Sequence, residues 1–126
     1  MNIPAGHQAV MTYLMLEDAR GFVGFVKEVF GARMLDENYN EDGTAAHCEA
    51  NINGSTILFS NSRGEWKPAT ANMFVYVDNA DTTYEKALNA GSTTVMPPAD
   101  QAYGRSCGVA DPFGNVWWIT SVLDNK

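Results

Sequence analysis

Two runs of apolar, β-prone residues, Ala9–Leu16 and Asn72–Val77, each give way to a helical spacing of apolar positions. After Asp18, a residue suited to capping a helix, Phe22, Phe25, Val26, Val29 and Phe30 fall on one helical face. After Asn79 or Asp81, Ala80, Tyr84, Ala87 and Leu88 do the same. Both patterns stop at a glycine, Gly31 and Gly91, where a chain can turn left-handed. Three short strand patterns follow each helix: Arg33–Asn38, Ala45–Ile52 and Ser55–Ser60 in the first half, then Thr93–Met96, Arg105–Ala110 and Asn115–Val122 in the second. Asn53-Gly54 predicts a type I′ hairpin turn, and Asp111-Pro112-Phe113-Gly114 predicts a second turn.

The halves are copies of one unit. A shift of 60 places Gly31 on Gly91, Ala50 on Ala110 and Gly54 on Gly114, and a shift of 61 places Leu16–Ala19 on Val77–Ala80. The expectation is an α+β protein of tandem βαβββ modules. The first covers residues 7–60 and the second 71–122, with a linker at 61–70 that contains Trp66 and Pro68.

Composition narrows the function. The chain has 126 residues, 45% hydrophobic and 18% charged, which is enough to bury a core without a metal or disulfide staple. Fifteen acids against eight bases give a net charge of −7, which excludes generic nucleic-acid binding through a basic face. No apolar run approaches the ~20 residues of a membrane span, and Met1–His7 lacks the pattern of a signal peptide. Two cysteines are too few for a disulfide scaffold. A cytoplasmic protein without membrane or nucleic-acid partners is expected.

Asp111-Pro112-Phe113-Gly114-Asn115, followed by Val116-Trp117-Trp118-Ile119-Thr120, resembles the end of the second module in the glyoxalase / bleomycin-resistance / extradiol-dioxygenase (vicinal oxygen chelate) superfamily. Val77–Ala80 with Ala87–Gly91, and Gly104-Arg105-Ser106, extend the likeness over about His7 to Val122. The resemblance implies a curved eight-stranded cup with helices on its convex side. Catalytic members hold a divalent metal on His and Glu side chains from the first and last strands of each module. Counting from Asp18, Asp78 and Asp111 puts those positions at Met11, Asn72 and Trp118, and one repeat back at Leu58. None suits a catalytic divalent metal. The likeness therefore points to the metal-free, bleomycin-resistance-like branch, whose bleomycin-binding members work as dimers. It implies no metal, no cofactor and a homodimer.

The Asn53-Gly54 turn sets a register that puts Glu49 opposite Leu58 and His47 opposite Ser60. Strand alternation then lines the cup with Tyr13, His47, Glu49, Leu58, Asn72, Phe74, Tyr76, Arg105 and Trp118. Cys107 and Val109 share the side assigned to Arg105, while Cys48 points to the helix layer. An aromatic cup in an acidic chain suits a flat, cationic guest, held without turnover, as in antibiotic sequestration. Enzymatic readings stay open. Glu49 or His47 could act as a metal-free acid or base, with burial raising the Glu49 pKa toward neutrality, or His47-x-Glu49 could belong to a displaced metal site. Glu49 could instead pair with Arg105, and His7 reads as a solvated terminal residue.

Overall fold

The computed structural model describes residues 1–123. They form two compact units, one of Met1–Thr70 and a second that begins at Ala71. The first contains β1 (Tyr13–Leu16), α1 (Ala19–Phe30), β2 (Arg33–Tyr39), β3 (Ala45–Ile52) and β4 (Ser55–Asn61). Its sheet order is β1-β4-β3-β2, with β1 parallel to β4 and the other pairs antiparallel. The second contains β5 (Asn72–Tyr76), α2 (Ala80–Asn89), β6 (Thr93–Gln101), β7 (Gly104–Ala110) and β8 (Val116–Ser121), in the matching order β5-β8-β7-β6. Each unit is thus a βαβββ module, and the fold class is α+β.

Local chemistry accounts for these elements. The Asp18 carboxylate accepts from the Gly21 amide at 2.9 Å and caps α1, which ends at Gly31 in the left-handed region. The buried face of α1 carries Phe22, Phe25, Val26, Val29 and Phe30 and packs on β3 and β4. Phe22 meets Phe59 edge-on at 4.9 Å. Asn79 caps α2 by accepting from the Thr82 amide. Asn53 and Gly54 have φ of 49° and 96°, as a type I′ turn requires, and Glu49 stands opposite Leu58 as expected.

Several boundaries differ from expectation, each for a local reason. β1 starts at Tyr13 rather than Ala9. The Gln8 side-chain amide donates to the Thr56 carbonyl and accepts from the Thr56 amide, taking the ladder partner that a longer β1 would have used. β6 continues to Gln101 through Pro97-Pro98, with a register shift between Met96 and Ala99. It is the edge strand of its sheet, where missing N–H donors are tolerated. The cap of α2 is Ala90, one residue before Gly91. Residues 61–70 fold back on the first unit: the Ser62 amide donates to Leu16, Ala69 bridges Met15, and Arg63 pairs with Asp42 at 2.9 Å. Among the described residues, no helix is long and apolar enough to cross a membrane.

Candidate functional site

In the first unit, alternate residues of β3 divide between two environments. Cys48, Ala50 and Ile52 are buried, on the parity that α1 covers, while His47 and Glu49 take the half-buried opposite side. Tyr13 of β1 and Leu58 of β4 belong to that same open side, so four expected site residues come together here.

Glu49 is the centre of the group. One carboxylate oxygen is 2.8 Å from His7 Nε2 and the other 2.9 Å from His47 Nε2. These bonds, that from His7 first and that from His47 second, hold the Glu49 carboxyl below the usual carboxylate range. The expected upward shift is therefore corrected, because hydrogen bonding to the charged form outweighs burial. The reading of His7 as a solvated residue is corrected as well: its side chain is 18% exposed and bonded to Glu49. The turn at Gly6 and the Gln8–Thr56 bonds bring it over the sheet. Tyr13 Oη lies 3.4 Å from His47 Nδ1.

Asp36 joins the cluster from the neighbouring strand, directly opposite Glu49 in the β2–β3 ladder. Donor atoms of Asp36, His47 and Glu49 all lie within 4.8 Å of one another. Sequence reasoning missed Asp36 because the β2–β3 register contains shifts on either side of it that no turn motif announces. Beside the cluster, a cleft of about 440 Å³ is lined by Tyr13, Met15, Ala45, Ser60, Arg63 and Trp66.

In the second unit, Asn72, Phe74 and Tyr76 take alternate, exposed positions of β5. Phe74 contacts Tyr76 edge-on at 5.3 Å and lies 6.0 Å from Tyr103, which was not expected to take part. Trp118 is paired with Phe74 across the β5–β8 ladder, and its indole N–H donates to the Asn72 side chain at 3.2 Å. The Trp118 ring lies against Gly108, where an added Cβ would meet it at 2.5 Å.

Arg105 is not on this face. The β7–β8 ladder pairs Arg105 with Ser121 and Cys107 with Ile119, which puts Arg105, Cys107 and Val109 on the parity opposite to Trp118. Arg105 binds Asp81 of α2 through two nitrogens at 3.1 Å each and reaches Asp100 at 3.3 Å, so its pairing with Glu49 is also corrected. Cys107 and Val109 are fully buried, and burial pushes the Cys107 thiol up to about 11. The error came from the turn. Residues 111–115 close the hairpin so that even-numbered residues pair with even ones, which the Asp-Pro-Phe-Gly string did not reveal.

The four positions reached by counting from the motifs, Met11, Leu58, Asn72 and Trp118, carry no carboxylate or imidazole. Met11 precedes β1, Leu58 has an apolar side chain, and Asn72 and Trp118 are bonded to each other.

The comparisons with known proteins agree with this fold. The family described as Glyoxalase/Bleomycin resistance protein/Dioxygenase superfamily matches residues 7–119. An uncharacterised protein of Mycobacterium bovis is 31% identical over 121 residues, covering 86% of this chain and 80% of that one. Among solved structures, a PhnB protein from Bacillus cereus is similar with a TM-score of 0.76 at 19% identity, covering 91% of this chain and all of that one. TnmS3, an antibiotic binding protein from Streptomyces sp. CB03234, is similar with a TM-score of 0.70 at 17% identity, covering 93% and 100%. The paired βαβββ modules and the family match over residues 7–119 make this chain a member of the glyoxalase/bleomycin resistance protein/dioxygenase superfamily.

Proposed function

We propose that the protein binds a planar aromatic, positively charged small molecule and holds it without converting it. The carrying observation is the aromatic surface of the second unit: Phe74, Tyr76 and Tyr103 are each more than half exposed, with Phe74 in ring contact with the other two. A contiguous apolar patch of this kind favours a ligand that covers it. Ring faces also attract cations, by about 0.5–2 kcal/mol each. Asn72 and Trp118 complete the ligand face. On the first unit, Tyr13, His47, Glu49 and Leu58 form an open face of that unit. Glu49, its carboxyl held below the usual range, is not a base poised near neutrality but adds a fixed negative charge to the acidic field that draws a cation. The likeness to an antibiotic binding protein supports the same reading, as does the family's link to bleomycin resistance. No metal is required at Met11, Leu58, Asn72 or Trp118. Two copies are proposed to associate, to be checked by sedimentation equilibrium.

The test is a titration of the purified chain with an acridinium dye, followed by tryptophan fluorescence. Saturable quenching with one site per chain is expected, and Phe74→Ala should weaken it at least several-fold. Absence of saturation, or unchanged binding in both Phe74→Ala and Tyr76→Ala, would overturn the proposal.

A further inference from the structure

The donor cluster on the first unit contains none of the inherited metal positions and has chemistry of its own. We propose that Asp36, His47 and Glu49 bind one divalent transition-metal ion, with His7 as a positioning residue on Glu49. Asp36 and Glu49 stand directly opposite each other on adjacent strands, an arrangement of like charges that costs stability unless a cation lies between them. His47 adds an imidazole nitrogen 2.9 Å from Glu49. The ion would take the place of the His47–Glu49 hydrogen bond, with an imidazole nitrogen and two carboxylates as its ligands.

The donor atoms lie within 4.8 Å of one another, and bonds of roughly 2.0–2.2 Å to one ion would draw them closer together. One nitrogen with two carboxylate oxygens suits a borderline ion such as Zn²⁺ or Co²⁺ better than Ca²⁺ or Mg²⁺, which prefer oxygen alone. The surrounding bonds are those that orient metal ligands. Tyr13 Oη faces His47 Nδ1 at 3.4 Å, Asn38 donates to one Asp36 oxygen at 2.7 Å, and His7 holds the second oxygen of Glu49 at 2.8 Å. The His47 and Glu49 side chains are 31% and 16% exposed, which leaves room for water or a ligand oxygen on the ion.

The test is calorimetric titration of the chelator-treated full chain with Zn²⁺, paired with the visible absorption spectrum of its Co²⁺ form. One ion per chain is expected. His47→Ala and Glu49→Gln should lose more affinity than the roughly 10–100-fold that an outer partner costs, and His7→Ala should fall within that range. His7→Gln, which keeps a donor toward Glu49, should recover most of the loss and the wild-type Co²⁺ spectrum. Circular dichroism establishes that each variant folds; if His47→Ala does not, Asp36→Asn on the edge strand β2 carries the same expectation. No stoichiometric uptake by the wild-type chain, or undiminished uptake in the folded ligand variants, would overturn the proposal.

Discussion

At the scale of single residues, two side chains show how the modules put chemistry on their open faces. Trp118 keeps its ring flat on the sheet because position 108 has no Cβ. Gly108→Ala should force the indole off the strand, costing about 1–3 kcal/mol in urea unfolding, with a shift in tryptophan emission; an unchanged midpoint and spectrum would remove this role for Gly108. Glu49 is the second case. Its folded carboxyl lies below its ordinary value of 4.5, so its contribution to stability is present above that value and is lost as pH falls through the folded one. Between neutral pH and the acid limb, the wild-type chain should therefore lose more stability than Glu49→Gln. Equal losses in thermal unfolding against pH would show that the two imidazole bonds contribute nothing.

Among the elements, the turn that carried the family resemblance is also the one whose physical work is clearest. The Asp111 carboxylate accepts from the Phe113 and Asn115 amides, from the Asn115 side chain and from the Trp117 indole. Asn115 in turn accepts from the Ala71 amide, which ties the turn to the start of β5. Asp111→Ala leaves the buried Asn115 and Trp117 donors without their acceptor and should cost about 3 kcal/mol; a loss below 1 kcal/mol would contradict this account. The N-caps, the Gly31 stop and the Asn53-Gly54 turn were legible in the sequence because each is decided within a few residues. The same locality made the first open face readable, since a two-residue turn fixes its register. Positions set by contacts distant in sequence were not readable. Asp36 depends on register shifts between β2 and β3, Arg105 on the five-residue turn between β7 and β8, and His7 on how Gln8 meets Thr56.

For the whole molecule, the charge balance makes a prediction that no single contact can make. Eight bases against fifteen acids leave a net charge of −7. Arg105 is already held by Asp81 and Asp100, and Arg63 by Asp42. A cationic ligand is thus drawn by the field of the entire chain as well as by the aromatic rings, whereas a neutral ligand of the same shape feels only the rings. Screening separates the two contributions, because the Debye length falls from about 10 Å at 0.1 M salt to about 3 Å at 1 M. Raising sodium chloride across that range should weaken acridinium binding several-fold and leave a neutral acridine analogue, measured above its pKa, nearly unchanged. Equal behaviour of the two dyes would assign all of the affinity to stacking on Phe74, Tyr76 and Tyr103 and none to the acidic surplus.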